Sequence, residues 1–434
     1  MSALRRYGRL PTSADFVVKN ASVLATVAGP APKIGGQLKE IGILERAALA
    51  ASNGRIVWVG PERELAGHVL TATGAQVLDA RGGAVLPGFV DSHTHLAFAG
   101  DRDDEARQRL AGRSYQEIAA QGGGIVRSVT ATRAASREEL AAAIASRLDE
   151  MLLCGTTSAE VKSGYGLETA AEVRSLEAIR DAAARHPITV VPTFLGAHEI
   201  PLEHRKDRER YLRLLIDEMI PEVARLSLAA YCDVFCEAGV FSVEESRRIL
   251  KAARERGLKL RLHADELCWT GGAELAAELH ARSADHLAFV SEPGMRALAA
   301  ASCVATLLPP AAFYLRLGRL APARSLVDAG APVALATDVN PGGGLSPSLP
   351  FAMTIACFGM GLSLEESLSA ATLNAAYSLD LAGELGSLEV GKRADLVVLR
   401  SGRLLDLLRV GVPAIRAVVK DGRVVVNEGG RIAR

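Results

Sequence analysis

Aromatic residues make up only 4% of the 434 residues, and cysteine occurs just six times. The cysteines, at 154, 232, 236, 268, 303 and 357, are too few and too scattered to staple a chain of this length. Cys232 and Cys236 form the one close pair; with no second pair to complete a structural zinc site, they are expected to fill core space on a strand. Net charge is also missing, since 50 basic residues face 50 acidic ones. That balance argues against a dedicated partner for nucleic acid or an anionic membrane. No uncharged apolar run reaches about 18 residues, so no transmembrane helix is expected. Arg5, Arg6 and Arg9 precede no apolar stretch, so no secretory signal is expected either. The expectation is a cytoplasmic globular protein.

What the chain does have is a hydrophobic share of 49%, enough for a large core in one barrel or in two or three domains. Its two ends are β-rich. Residues 15–19 and 55–59 near the start, and 394–399 and 417–426 near the end, read as strands, the last folded into a hairpin at Asp421-Gly422. The middle alternates apolar strands (85–93, 157–161, 189–195, 232–236, 259–263, 284–287, 304–308 and 333–337) with Ala/Leu/Glu/Arg helices such as 137–153, 170–184, 243–256 and 272–278. Eight strand–helix units predict an α/β fold, a TIM (β/α)8 barrel over 85–380. Residues 1–84 and 381–434 are expected to pair into one small composite β-sandwich. An open doubly wound sheet is the competing topology, and no Gly-rich nucleotide fingerprint after the first strand supports it.

The histidines gather where a barrel places its chemistry. The first strand runs into His93-Thr94-His95, whose alternation puts both imidazoles on one face. His198 follows the third strand, His263 and Glu266 the fifth, Asp285-His286 the sixth and Asp338 the eighth. In a barrel these carboxyl ends share one mouth. A lone His-x-His is often chance, and a lone histidine after a strand is often a core residue. Three histidines and an aspartate from three strands together form a ligand set suited to Zn²⁺ or Fe²⁺.

The run Leu86-Pro-Gly-Phe-Val-Asp-Ser-His-Thr-His95 resembles the first-strand signature of the amidohydrolase superfamily, and Gly386-Ser-Leu-Glu-Val-Gly-Lys-Arg-Ala-Asp-Leu-Val397 resembles its return into the small β domain. From about residue 15 to 428 the chain resembles, more narrowly, the imidazolonepropionase family. The specific runs are His95-Leu-Ala-Phe-Ala-Gly-Asp-Arg102, Gln121-Gly-Gly-Gly-Ile125, Glu160-Val-Lys-Ser-Gly-Tyr-Gly-Leu167, Thr193-Phe-Leu-Gly-Ala-His198, His263-Ala-Asp-Glu266, Ser283-Ala-Asp-His-Leu287 and Ala336-Thr-Asp-Val-Asn-Pro-Gly342.

The resemblance implies hydrolysis of the ring amide of 4-imidazolone-5-propanoate to N-formimidoyl-L-glutamate in histidine degradation, and a homodimer. It implies His93, His95, His263 and Asp338 as ligands of one zinc or iron ion. A second ion is not expected, because Cys236-Glu237 stands where two-metal members offer a lysine after the fourth strand. It implies Arg102, Tyr165, His198 and Glu266 as substrate contacts, with Asn340 and Gly342 lining the product side. The family has Ser or Thr after Asn-Pro-Gly; here Gly343 and Gly344 follow, which leaves Gly343 only a backbone role.

Each role answers a chemical need. Asp338 or His286 takes a proton from water. His286 also suits developing oxyanion charge. Glu266 bonds a ring N–H and protonates the leaving nitrogen, and Arg102 matches a carboxylate tail in two-point geometry. Blander readings compete: a surface salt bridge for Arg102 among Asp101, Asp103, Asp104 and Glu105, loop packing for Tyr165, loop anchoring for His198, a helix start for Glu266. Lys162 reads as structural, and Gly122-Gly123-Gly124 as a flexible loop rather than a phosphate cradle. A nucleobase deaminase would share the metal set without needing Arg102, and a non-catalytic scaffold would be expected to have lost ligands.

Overall fold

The computed structural model describes residues 12–113 and 124–432. The arginines at 5, 6 and 9 and the glycines at 122 and 123 lie outside the described residues.

Two sheets organise the chain. One is parallel and eight-stranded: β6 (Phe89–Asp91), β7 (Thr156–Lys162), β8 (Thr189–Ala197), β9 (Tyr231–Cys236), β10 (Lys259–Ala264), β11 (Ser283–His286), β12 (Val304–Leu307) and β13 (Val333–Leu335), each beside the next in chain order. Closure occurs just past the ends of the outer strands. Asp338 N–H donates to the His93 carbonyl at 3.1 Å, and His95 N–H to the Val339 carbonyl at 2.8 Å. One residue pair earlier, Thr337 donates from its hydroxyl (2.6 Å) and its N–H to the buried Asp91 carboxylate. The sheet is thus closed into a barrel by the segments that bear its histidines and aspartate.

The helices form the outer ring, and their starts are written in the sequence. Ser136 with Glu139, and Ser242 with Glu245, form reciprocal caps that open helices Arg137–Leu153 and Val243–Glu255. Leu140, Ile144, Leu148 and Met151 of the first helix fall on one face and are buried.

The second sheet is mixed and nine-stranded. Its N-terminal members are β1 (Thr12–Ala25), β2 (Ile43–Ser52), β3 (Arg55–Pro61), β4 (Val69–Asp79) and β5 (Ala84–Pro87). Its C-terminal members are β14 (Leu396–Leu399), β15 (Ile415–Lys420), β16 (Arg423–Asn427) and β17 (Gly430–Arg431). The two ends meet where β14 lies antiparallel on β5, with Leu86 opposite Val397. Asp421 and Gly422, both at positive φ, turn the β15–β16 hairpin.

The single strand expected over 85–93 is two strands in two sheets. Gly88 is the pivot: its N–H bonds the Asp395 carbonyl in the small domain, and a Cβ there would stand 2.3 Å from Thr157 Oγ1 in the barrel. Strand β2 lies in the β-rich N-terminal part, although its Ala-rich run favours helix on propensity. Pairing with β1 and β3 prevails, and Ala47 to Ala51 are fully buried. Cys232 and Cys236 do fill core space on β9. Among the described residues, no helix is long and apolar enough to cross a membrane.

Candidate active site

His93 and His95 follow β6 on one face of an extended segment. Thr94 between them points the other way and ties to β7, its hydroxyl donating to the Glu160 carbonyl at 2.6 Å. His93 Nε2 lies 3.2 Å from His95 Nε2, which is 3.3 Å from His263 Nε2. Asp338 Oδ1 lies 3.3 Å from His95 Nε2 and 3.6 Å from His93 Nε2. Behind them, His93 Nδ1–H donates to Asp285 Oδ2 (2.7 Å) and His263 Nδ1–H to Asp233 Oδ1 (3.1 Å). A neutral imidazole has one N–H, so both Nε2 lone pairs are bare. Bare lone pairs and a carboxylate oxygen this close repel one another unless a cation sits among them. Asp338 Oδ1 is buried without a hydrogen-bond partner among the described residues. Donors at about 2.0–2.1 Å from a tetrahedral centre stand about 3.3 Å apart, which matches these edges. The set fits one metal ion.

Burial, with the neighbouring imidazoles and the Lys162 ammonium, holds His93 and His95 well below the ordinary histidine range, which favours the neutral form that a metal ligand requires. Burial also raises Asp338 to about 7, a penalty that a bound cation would relieve. Beneath lies a charged layer with no solvent exposure. Lys162 Nζ bridges Glu160 (2.6 Å) and Asp233 (2.7 Å). Burial works against the charge on Lys162, but the two carboxylates outweigh it and hold its pKa above the usual lysine value. Arg261, fully buried, reaches Asp285 Oδ2 at 3.3 Å and the Ser92 carbonyl at 2.8 Å. Each carboxylate that orients a histidine is therefore paired with a buried cation, the arrangement that makes buried charge tolerable. Lys162 is structural, as expected, but in direct support of the site.

A pocket opens beside this set, and every candidate catalytic, substrate-binding or metal residue lines it except His93, which is fully buried. His198 donates from Nδ1 to the Gly164 carbonyl at 3.0 Å, so it does anchor its loop, and its ring stacks on His95. Burial and His263 push its pKa down to about 3, leaving Nε2 as a hydrogen-bond acceptor. Glu266 stands 3.6 Å from His286 Nδ1; burial and the carboxylates of Asp338 and Glu237 raise it well above the usual range. The shift favours its protonated, proton-donating form. His286 and Asp338 both sit at positive φ, a backbone strain found at functional sites. Arg102 is buried and does form a salt bridge, at 2.6 Å to Glu105, but within the pocket wall rather than at the surface. Asn340 uses its amide on its own loop, accepting from the N–H groups of Gly342 (2.8 Å) and Gly343 (2.6 Å) and donating to the Asp338 carbonyl (2.7 Å).

The amidohydrolase family model matches residues 101–426. An imidazolonepropionase from Symbiobacterium thermophilum is 51% identical over 417 residues, covering 96% of this chain and 98% of its own. One from Geobacillus kaustophilus is 46% identical, covering 95% and 98%. The chain belongs to the imidazolonepropionase family of amidohydrolases. Solved structures share its fold at low identity: an adenosine deaminase from Xanthomonas campestris with bound zinc (TM-score 0.73, 19% identity, 98% and 96% covered) and a guanine deaminase from E. coli (TM-score 0.71, 17%, 95% and 99%).

For a family member, several residues around this pocket escape a reading of motifs. Glu172, on the helix after β7, accepts from the N–H groups of Gly164, Gly166 and Leu167 and so sets the Tyr165 loop. Glu237 accepts from the N–H groups of Glu266 (3.1 Å) and Leu267 (2.8 Å). Asp265 gathers the N–H groups of Thr270 to Ala273. Phe235, Leu315 and Leu317 give the pocket apolar walls. The one available signal was an acidic residue in or beside an apolar strand, where water cannot solvate it and a buried partner is required.

Proposed function

We propose that this pocket hydrolyses the ring amide of 4-imidazolone-5-propanoate to N-formimidoyl-L-glutamate. The observation that supports this most directly is the pairing of a hydrolytic metal set with a buried arginine, Arg102, on the wall of the same pocket. A single zinc or iron ion held by His93, His95, His263 and Asp338 would supply Lewis acidity, lowering the pKa of water and polarising the ring carbonyl.

The chain's own groups do the rest. Asp338 or His286 takes the proton as water oxygen adds to the ring carbonyl carbon. His286, whose Nε2 lacks a hydrogen-bond partner among the described residues, stands ready to steady the developing oxyanion. His198 accepts a ring N–H through Nε2. Glu266 donates its proton to the ring nitrogen as the C–N bond breaks, leaving an amidine and a new carboxylate. Tyr165 closes one wall. Arg102 binds the propionate. Asn340 shapes the loop on which Gly342 and the Gly343 backbone border the product.

The test is direct. Purified metal-loaded protein, given 4-imidazolone-5-propanoate, consumes the imidazolone chromophore and yields formimidoylglutamate by mass spectrometry, while cytosine, guanine and adenosine are left intact. Turnover of a nucleobase but not of the imidazolone would assign the pocket to a deaminase instead.

A further inference from the structure

The acidic run around Arg102 divides in two. Asp101 and Asp104 are well exposed and meet Arg107 and Arg127 at the rim. Glu105 turns inward and is 3% exposed. Its Oε2 accepts from Arg102 Nε at 2.7 Å and lies 2.6 Å from Nη2, so one oxygen faces the whole Nε–Nη2 edge of the guanidinium. Its Oε1 accepts the Gly124 N–H at 2.9 Å, where helix Ile125–Ala134 begins, and Ile125 lines the pocket. On the other side, a Cβ at Gly342 would stand 2.2 Å from Arg102 Nη1. The guanidinium is thus held between a buried carboxylate and a glycine backbone.

We propose that Glu105 is a positioning residue. It fixes the plane of Arg102 towards the anionic tail of the substrate, and discrimination in favour of a carboxylate-bearing ring amide depends on it. This rests on the reading of Arg102 given above. Two effects oppose each other. The negative charge of Glu105 reduces the pull of Arg102 on an incoming carboxylate, whereas its two contacts remove the freedom of a long, rotamer-rich side chain. If charge decides, neutralising Glu105 tightens binding of the tail. If orientation decides, it loosens it, and misplacing a binding group by about an ångström is costly. Burial of the pair favours orientation, because Glu105 meets the guanidinium along one whole edge.

The experiment compares Glu105→Gln and Glu105→Asp with wild type on 4-imidazolone-5-propanoate and on the same imidazolone without its propionate. Metal content is read in parallel. Glu105→Gln removes the charge that faces the Nε–Nη2 edge; Glu105→Asp keeps the charge but withdraws it from that edge by one methylene. We expect both to raise KM for the tailed substrate about tenfold or more while kcat changes little, kcat/KM for the tailless ring is unchanged, and metal content stays at one equivalent. An unchanged or lower KM in Glu105→Gln overturns the proposal, as do equal losses on both substrates. If Glu105→Gln fails to fold, Glu105→Asp decides alone by the same criteria. Arg102→Met separates the two levels. If it also leaves the KM for the tailed substrate unchanged, the tail contact itself fails; if it alone raises that KM, only the role of Glu105 fails.

Discussion

At the scale of single residues, the proposed function separates groups that would hold a metal from groups that would select a substrate, and the two are tested separately. Arg102 does not touch the donor set, so Arg102→Met should leave metal content and fold intact. A charged hydrogen bond in a dry pocket contributes roughly 1.5–3 kcal/mol, so kcat/KM for the tailed imidazolone should fall about 10- to 200-fold. Arg102→Lys should recover only part, since an ammonium cannot fill the planar gap between Glu105 and Gly342. Wild-type kinetics in Arg102→Met would end the clamp reading. Asp285→Asn should act on the metal instead. It replaces the charged acceptor that fixes the proton on His93 Nδ1 by a neutral amide and strips Arg261 of a counter-ion. Chelator competition should show affinity weakened about 10- to 100-fold, with the KM for substrate little changed in protein saturated with metal. The candidate donors were legible in the chain because several histidines and an aspartate follow strands that a barrel brings to one mouth, although each pattern alone is common. Asp285, Asp233 and Lys162 were not, because nothing local distinguishes a charge inside a barrel from one on a surface.

At the scale of elements, strand positions were legible from apolar runs and strand ends were not. The reading of 85–93 as one strand failed because a run that is apolar throughout does not reveal at which residue it changes sheets; the Pro87-Gly88 step marks the place once the fold is known. Residues 43–52 form a strand despite an Ala-rich run that favours helix on propensity, since partners distant in sequence decide the outcome. The loop after β13 shows local chemistry and tertiary fit acting together. A Cβ at Gly344 would stand 1.6 Å from the Asp338 carbonyl oxygen, whereas one at Gly343 would meet only the movable end of Leu315 at 2.8 Å. Asn340 N–H also bonds the Gly344 carbonyl at 3.1 Å. Gly344→Ala should therefore displace Asp338 and lower metal content sharply. Gly343→Ala, or Gly343→Ser with the hydroxyl found elsewhere in the family, should keep full metal and at least partial activity. Equal metal retention in the two alanine variants, read by elemental analysis, would refute this account of the loop.

At the scale of the whole molecule, the metal set joins parts of the chain that nothing else places at one point. His93 and His95 follow the first barrel strand, His263 ends the fifth, and Asp338 lies beyond the eighth, where its backbone bonds to His93 close the ring. An unfolded chain does not bring these four donors together, so binding energy for the ion adds to folding stability. At a free metal concentration about 1,000 times Kd the added stability is about 4.1 kcal/mol. A chelator should therefore lower the melting temperature by several degrees, and one equivalent of zinc should restore it. His263→Ala removes one donor but leaves the barrel wall and the small domain intact. It should melt near the stripped wild type, with or without zinc, and bind far less than one equivalent. The shift measures the linkage between site and fold independently of catalysis. If the stripped and loaded proteins melt together, or if His263→Ala keeps the full zinc-dependent rise, the stabilising ion is bound somewhere other than between the first, fifth and eighth strands.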